Sequence, residues 1–153
     1  MEHAKVKILA IASGGGHWEQ LMLIRPALAD AEVKYVTTLP GLPPRAGIKN
    51  YSIVHECNRN DLRKLVSNAV RIFWILIRYR PDVVISTGAL PGLIGVALAR
   101  TIFRSRTIWV DSVANGKEFS MSGRMAKHFS SLWLTQWDEV AQATGASCFG
   151  RVI

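Results

Sequence analysis

Short apolar runs alternate with longer segments of helical periodicity along the whole sequence, and this alternation constrains the fold more than any other feature. The runs are partly β-branched and are bounded by turn residues, which is typical of strands buried on both faces of a parallel sheet. Strands are predicted at residues 6–12, 33–38, 51–54, 82–86, 107–111 and 132–135. Strands that alternate with helices predict one Rossmann-like α/β domain with a doubly wound, mostly parallel sheet.

The segments between the strands complete this organisation. Helices are predicted at residues 18–28, 61–79, 91–104 and 123–129. Residues 39–50 contain three prolines and two glycines and are predicted to form a loop. Right-handed crossovers favour the strand order 3-2-1-4-5-6, in which the order reverses between the first and fourth strands. No repeat or linker divides the sequence, so residues 1–153 are expected to form a single domain.

Two glycine-rich loops follow the first and fourth strands, which flank the point where the strand order reverses. Ligands of doubly wound sheets bind at that point, beyond the carboxyl ends of the strands. Each loop opens a helix, so backbone N–H groups of two helix N-termini can converge on one anion, most simply a phosphate or diphosphate. The alternative is that the glycines only permit tight turns. The candidate binding residues are Ser13, Gly14, Gly15, Gly16, Ser86, Thr87, Gly88 and Ala89.

The first loop does not match the nucleotide-binding and hydrolase motifs that contain similar glycines. If G-x-G-x-x-G is placed on Gly14 and Gly16, Glu19 stands where the third glycine belongs. The second strand also lacks the acidic residue that holds a ribose, and no Gly-Lys-Ser/Thr sequence marks a P-loop. Ile11 stands where the Gly-x-Ser-x-Gly motif of hydrolases needs glycine. An NAD-dependent enzyme is therefore not expected.

His17 lies at the mouth of the predicted site, at the start of the first helix. The positive end of the helix dipole disfavours a further positive charge there, which favours a neutral, hydrogen-bonding imidazole. Such a histidine can polarise or orient a substrate, and His17 is the candidate catalytic residue. The alternative is a histidine that only caps the turn.

An excess of basic residues predicts an anionic partner. The sequence contains 19 Lys and Arg against 11 Asp and Glu, which gives a net charge of +8. Much of this excess lies on and beside the helix predicted at residues 61–79. The basic side of this helix predicts contact with an anionic membrane surface, made by Lys64, Arg71, Trp74, Ile75 and Arg78.

This interpretation follows from the helical wheel of the basic helix. One half of the wheel is apolar and is predicted to be buried. It contains Leu62, Leu65, Val66, Ala69, Val70, Ile72, Phe73, Leu76 and Ile77. The other half combines cations with an aromatic and an aliphatic residue, as interfacial helices do. The alternatives are a helix that simply covers the sheet, and nucleic acid, which is not expected because no reading motif is present.

The cysteines and the apolar runs of the sequence bear on metal binding and on cellular location. Cys57 and Cys148 match no zinc or redox spacing and no metal-ligand cluster is evident, so no metal site is predicted. No run reaches the roughly 18–20 apolar residues that span a bilayer, and the N-terminal residues do not resemble a signal peptide. A cytoplasmic protein with a peripheral position on the inner membrane is expected.

Several sequence blocks, in register over essentially the whole chain, resemble one known family. The blocks are residues 13–17 with Glu19 and Leu21, residues 81–89 with Pro91 and Gly92, Asp111 with Ser112, residues 120–124, residues 135–137, and Gly150. Together they resemble the acceptor-side, membrane-anchor subunit of the two-chain UDP-N-acetylglucosaminyltransferase family, especially its relatives in bacterial exopolysaccharide and capsule synthesis. A more distant similarity is to the N-terminal half of the glycosyltransferase that forms lipid II.

The resemblance implies the N-terminal half of a GT-B glycosyltransferase. Such a subunit would recruit a donor-binding catalytic partner to the membrane and help to bind a polyprenyl-diphosphate-linked sugar. The UDP-sugar would bind the partner, so no cofactor is expected on this chain, which would be inactive alone. Further acceptor-site residues would be Asp111, Ser112, Ser120, Ser122 and Gly123, and the partner would contact Gln136, Trp137 and Gly150. The alternative is a small nucleotide-sugar-binding enzyme that acts alone.

Overall fold

Six parallel strands form the centre of the computed structural model, which describes residues 4–152. The strands are β1 (Lys7–Ala12), β2 (Glu32–Thr37), β3 (Tyr51–Ile53), β4 (Val83–Gly88), β5 (Arg106–Val110) and β6 (Leu132–Leu134). Their order is β3-β2-β1-β4-β5-β6, and every neighbouring pair is parallel. The predicted Rossmann-like fold class and the predicted strand order are therefore confirmed.

The helices pack on both faces of this sheet. They are α1 (Gly16–Ile24), α2 (Leu42–Arg45), α3 (Leu62–Tyr79), α4 (Ala89–Thr101), α5 (Met121–Ala126) and α6 (Asp138–Thr144). The sequence analysis missed α2 because its prolines, Pro43 and Pro44, lie in a single first turn, where a missing N–H costs nothing. It missed α6 because this short helix buries only Val140 and so has no apolar stripe.

The ranges of α1 and α4 differ from the predicted ones. After Ile24 the chain continues as a 3₁₀ turn over Arg25–Leu28, because Pro26 has no N–H for an α-helical hydrogen bond. α4 begins at Ala89, ahead of Pro91, since proline is tolerated in the first turn of a helix. It ends at Thr101, before the predicted end at residue 104.

Side chains alternate between the two faces of the sheet and build two apolar clusters. Leu9 and Val84 belong to the cluster on the α3 and α4 side, where Ile72 of α3 is completely buried. Ala10 belongs to the cluster on the opposite side, where Leu21 of α1 is completely buried. Both faces of the central strands are thus in the core, as their continuous apolar sequence predicts.

The face that carries α1 retains apolar surface near its β5–β6 edge. Ile108 and Leu134 of the sheet, Ile24 of α1 and residues 149–152 line an open groove of about 330 Å³. Phe149, at this groove, is 82% exposed. We refer to this surface as the β5–β6 groove.

The orientation of α3 differs from the helical-wheel prediction. Leu62, Val66 and Val70, which the wheel assigns to the buried half, are 67%, 55% and 52% exposed. The buried line of the helix runs instead through Ile72 and Leu76, which are completely buried. The prediction is wrong for Leu62, Val66 and Val70 and correct for Ile72 and Leu76, because the buried side of α3 is rotated about the helix axis toward Asn68.

Asn68 explains this rotation of α3. Its buried side-chain amide accepts a hydrogen bond from the His55 N–H and donates one to the His55 carbonyl oxygen, both at 2.8 Å. A completely buried amide must find such partners, so this pair ties α3 to the segment after β3. The same amide donates to Cys57 Sγ at 3.1 Å, and burial raises the pKa of the Cys57 thiol, which keeps it protonated.

Asp61 caps the N-terminus of α3 and makes its stability dependent on pH. Its carboxylate accepts a hydrogen bond from the Lys64 N–H at 3.1 Å, and this bond lowers the pKa of Asp61. A carboxyl with a lowered folded-state pKa stabilises the fold above its unfolded-state pKa. That stabilisation is lost as the pH falls through the folded-state pKa.

We expect Asp61→Ala to lower the midpoint of thermal unfolding at pH 7, and Asp61→Asn to restore most of the loss because asparagine also caps helices. The advantage of the wild-type chain over the Ala variant should shrink as the pH falls below about 4, where the carboxyl of the unfolded chain begins to be protonated. Circular dichroism melts at pH 7 and pH 3 measure both effects. Equal midpoints for the three chains at pH 7 would contradict this account of the cap.

Candidate functional site

The two glycine loops lie side by side at the carboxyl edge of the sheet. β1 pairs with β4 so that Ile11 lies opposite Ser86, and Ala12 lies opposite Gly88 after a shift in register. α1 and α4 begin in these loops and lead away from the same edge. The structure therefore brings together the two segments that were predicted to form the ligand site.

Hydrogen bonds join the two loops directly. Thr87 Oγ1 donates to the His17 carbonyl oxygen at 2.6 Å, and His17 Nδ1 lies 3.0 Å from the Thr87 carbonyl oxygen. Because a carbonyl oxygen can only accept, Nδ1 carries a proton, and a neutral His17 then has an acceptor at Nε2. A Cβ atom at Gly88 would collide with the His17 ring, and φ of Gly88 is +136°, so this position requires glycine.

The first turns of α1 and α4 keep backbone donors without a side-chain cap. Within residues 4–152, no side chain caps either helix. Gly15 and Gly16 are exposed, and open space surrounds the position that a Cβ atom would take in each. Ala89 has a left-handed φ of +69°, which costs a non-glycine residue roughly 1 kcal/mol and tends to persist at functional sites. Among the described residues, neither first turn therefore has a side-chain acceptor for its N–H groups, and in α4 Pro91 contributes no N–H.

The serine side chains of the loops point inward. Ser13 is 4% exposed and Ser86 is completely buried. Ser86 Oγ accepts a hydrogen bond from the Gly88 N–H at 3.1 Å, and it lies so close to Gly92 that a Cβ there would collide with it. These hydroxyls shape the loops, so the groups that face solvent at the site are mainly backbone groups.

Thr38 and Glu56 also belong to this edge, and the sequence analysis missed them. The Gly14 N–H donates to Thr38 Oγ1 at 3.0 Å, and the Thr38 hydroxyl donates to the Glu56 carboxylate at 2.6 Å. Thr38 directly follows β2, where dinucleotide-binding proteins carry their acidic residue, so its position in the sequence could have marked it as a candidate site residue. Nothing local marks Glu56, which comes from the segment beyond β3.

Asp111 holds the loop between β5 and α5. It is 2% exposed, and its carboxylate accepts hydrogen bonds from Trp109 Nε1 and Asn115 Nδ2 at 3.0 and 2.9 Å. The N–H and the hydroxyl of Ser120 donate to it as well, at 2.9 and 2.7 Å. Ser120 caps α5 by accepting from the Gly123 N–H, and a Cβ at Gly123 would collide with Asp111. Three of the predicted acceptor-site residues, Asp111, Ser120 and Gly123, thus contact one another.

A buried glutamine links α1 to this loop. Gln20 Nε2 donates to Ser112 Oγ at 2.9 Å, and Gln20 Oε1 accepts from the Val113 N–H and from Gln136 Nε2 at 3.1 and 2.7 Å. Ser122, the remaining one of the further acceptor-site residues, is half-buried on α5. The sequence analysis missed Gln20, whose signal was a polar residue among the buried residues of α1.

The residues predicted to contact a partner lie in different environments. Gln136 is 3% exposed, and its Oε1 accepts from the Val152 N–H at 3.0 Å. Trp137 is half-buried, donates from Nε1 to a loop carbonyl at 2.8 Å, and lies 3.8 Å beneath the Arg151 guanidinium. Gly150 is exposed, with φ of +110°. The tail around Gly150 is therefore more accessible than Gln136.

The outer side of α3 carries exposed apolar residues spaced four apart. We call them the α3 ridge: Leu62, Val66, Val70 and Trp74. Arg71 and Arg78 are exposed beside the ridge, whereas Lys64 lies 3.4 Å from the Asp61 carboxylate. Ile75, which was predicted to contact a membrane, packs partly against the core and so lies at the margin of this surface.

Metal-binding clusters and membrane-spanning helices are both absent from the described residues. Within the described residues, no group of three or more His, Cys, Asp or Glu side chains is placed to hold a metal ion. Cys57 and Cys148 are free thiols. Among the helices of residues 4–152, none has the length and apolar character needed to cross a bilayer.

Comparisons with known proteins identify the fold. No protein-family model and no curated protein matches the sequence. MurG from Acinetobacter baumannii matches with a TM-score of 0.73 and 11% identity, over 88% of this chain and 43% of MurG. UDP-N-acetylglucosamine 2-epimerase from Rickettsia bellii matches with a TM-score of 0.71 and 14% identity, over 94% of this chain and 43% of the epimerase.

A third structure, Methanocaldococcus jannaschii UDP-GlcNAc 2-epimerase in complex with UDP-GlcNAc and UDP, gives a TM-score of 0.70 and 15% identity. The match covers 90% of this chain and 42% of the epimerase. The chain thus spans less than half the length of each of these proteins. Their architecture is GT-B, and the likeness shows that this chain has the Rossmann-like fold of one part of that architecture.

We expect Asp111→Ala to lower the free energy of unfolding by about 3 kcal/mol, because it leaves several buried hydrogen-bond donors without an acceptor. Asp30→Ala removes an exposed carboxylate and should change the free energy of unfolding by less than about 0.5 kcal/mol. Urea unfolding followed by tryptophan fluorescence measures both. If the two variants were equally stable, the Asp111 network would not hold the loop.

Proposed function

We propose that this chain is the acceptor-binding, membrane-attached subunit of a bacterial glycosyltransferase whose donor-binding catalytic subunit is a separate polypeptide. Its substrate would be a polyprenyl-diphosphate-linked sugar that is elongated during exopolysaccharide or capsule synthesis. The UDP-sugar would bind the partner, and this chain would hold no cofactor. It would work at the cytoplasmic face of the inner membrane, without nucleic acid.

The observation that carries this proposal is the convergence of two uncapped helix N-termini at one edge of a single Rossmann-like lobe. The positive ends of α1 and α4 both favour an anion there, and their first-turn N–H groups need acceptors. A diphosphate supplies several oxygens to neighbouring donors at once. Gly15 and Gly16 leave the backbone open to such a group.

His17 would act on the sugar end of the acceptor. Its Nδ1–H is held by the Thr87 carbonyl oxygen, so in a neutral ring Nε2 can accept a hydrogen bond from an acceptor hydroxyl. Such a bond orients the hydroxyl and increases its nucleophilicity toward the anomeric carbon of the donor. The hydroxyl would displace UDP from that carbon, and its proton would pass to His17 or to a group of the partner.

An exposed apolar surface supports contact with a second, donor-binding lobe. GT-B neighbours are more than twice as long as the matched region, and a glycosyl transfer needs a site for a donor as well as for an acceptor. The β5–β6 groove and the exposed Phe149 offer an apolar surface beside the predicted contact at Gly150. Val152 at this surface donates its N–H to the buried side chain of Gln136, which in turn donates to the Asp111 carbonyl oxygen in the loop after β5.

The α3 ridge supports attachment to a membrane. Large apolar side chains that are more than half exposed are unfavourable in water, and here they lie beside Arg71 and Arg78. An interfacial position would bury the ridge at the headgroup boundary and place the guanidinium groups near lipid phosphates.

A second candidate function is a small nucleotide-sugar enzyme that acts alone. The likeness to UDP-GlcNAc 2-epimerases favours it as much as the likeness to MurG favours a transferase, since both share the fold. An activity assay of the purified chain without a second protein distinguishes the subunit from the lone enzyme. Turnover of a UDP-sugar without a second protein would support the lone enzyme and refute the subunit.

We expect Gly15→Val to reduce the transferase activity of the reconstituted pair by roughly a hundred-fold, because the loop can no longer position the acceptor. Association with the partner, measured by co-purification, should be unchanged. Gly47→Val is the matched control, since Gly47 has a similar φ of +66°, is open to solvent and lies away from the site. Equal activity of the two variants would show that the first loop is not a substrate site.

For the membrane, we expect Arg71→Glu combined with Trp74→Ala to weaken binding to phosphatidylglycerol vesicles by more than roughly ten-fold, since each basic residue near such a surface contributes about 1 kcal/mol. Vesicle co-sedimentation at low and high salt measures this. The control, Lys49→Glu with Leu23→Ala, makes the same charge change on another exposed surface. Unchanged sedimentation of the α3 variant would refute attachment through α3.

A further inference from the structure

A groove of about 530 Å³ lies between α3 and the edge of the sheet formed by β2 and β3. Arg71, Trp74 and Arg78 line it from the helix, and Lys34 and Ser52 line it from the strands. Lys34 belongs to β2 and is distant in sequence from the basic helix, so the wheel of α3 did not include it. Cations from two elements therefore meet in one concave site, which we call the Lys34 groove.

The lining of the Lys34 groove is basic and, among the described residues, contains no carboxylate. The ion pairs of the described residues are Lys64–Asp61 and Arg124–Glu118, so Arg71 and Arg78 take part in neither. Lys34 Nζ donates to the neutral side chain of Asn50 at 3.3 Å.

Tyr79 lines the groove and adds no negative charge. Its hydroxyl donates to the Glu32 carbonyl oxygen at 2.7 Å. Burial, together with the charges of Glu32 and Asp82, raises the pKa of Tyr79 to about 12, so the phenol stays neutral at physiological pH. The groove thus combines three cations, a hydroxyl from Ser52 and a neutral phenol.

The position of the groove indicates where its ligand comes from. Arg71, Trp74 and Arg78 also line a second groove of about 490 Å³, together with Val70 of the α3 ridge. Trp74 therefore belongs both to the apolar ridge and to the walls of the basic sites. A ligand with a phosphate in the groove and apolar chains beside the ridge would satisfy both surfaces, and a phospholipid has this arrangement.

We infer that the Lys34 groove binds the headgroup of an anionic phospholipid and prefers a phosphomonoester, as in phosphatidic acid, to a phosphodiester, as in phosphatidylglycerol. A phosphomonoester carries up to two negative charges and three terminal oxygens, which suits three cations and the paired N–H donors of arginine. This inference rests on the proposed attachment of α3 to a membrane. It adds a defined headgroup site to a surface that otherwise acts only through its overall charge.

The test compares phosphatidylcholine vesicles that contain phosphatidic acid with others that contain phosphatidylglycerol, at the same zeta potential. We expect the wild-type chain to bind the phosphatidic acid vesicles about five-fold more tightly, the effect of one further cation contact. Lys34→Ala should abolish this preference and retain binding to both vesicles. Lys49→Ala, which removes one exposed lysine elsewhere, should keep the preference.

The outcomes separate this inference from the proposed function. Equal binding of the wild-type chain to the two vesicles, or a preference that survives Lys34→Ala, would refute the headgroup site and leave membrane attachment intact. Binding of soluble glycerol 3-phosphate in calorimetry, without binding to vesicles, would show a soluble phosphomonoester ligand and would also refute it. Absence of binding to any vesicle would refute both proposals.

Discussion

The parallel pairing of β1 with β4 is the constraint on which the rest of the structure depends. Because the strand order reverses there, the crossovers that leave β1 and β4 diverge, and α1 and α4 open a crevice between their N-termini. The hydrogen bonds between His17 and Thr87 join the two loops at this point and hold the imidazole in place. The strained backbone at Gly88 and Ala89 is maintained by the same pairing, so the geometry of the site follows from the sheet.

A second consequence is that the site and the C-terminal tail share one set of hydrogen bonds. Gln20 of α1 contacts Gln136 and the loop that contains Ser112, and Gln136 holds the N–H of Val152. Since these side chains are buried, breaking one bond leaves a polar group without a partner, so the members tend to move together. A partner that covers the β5–β6 groove would therefore stiffen the support of α1, which would couple subunit assembly to acceptor binding.

The sequence predicted the fold well because strand patterning and right-handed crossovers are local or general rules, and they fixed the order around β1 without knowledge of side-chain packing. The features that the sequence analysis missed depend on side-chain packing. Which side of α3 is exposed depends on the hydrogen bonds between Asn68 and His55. Thr38 contacts both Gly14 and Glu56, and these three residues lie in segments that follow three different strands. The loops of the site were found from their glycines, whereas the buried contacts of Gln20 and Asp111 leave no periodic signal.

The placement of α3 relates the proposed membrane surface to the candidate site. α3 follows β3, so its N-terminal end lies at the carboxyl edge of the sheet, where both glycine loops lie. Arg59, just ahead of α3, contacts Met121 of α5, and Met121 and Met125 are 42% and 50% exposed, so α5 also presents apolar side chains to solvent. A lobe that rests on a bilayer through the α3 ridge would hold its crevice close to the headgroup layer. The diphosphate of a polyprenyl-linked sugar lies in that layer, so such a substrate would reach the N-termini of α1 and α4 without leaving the membrane.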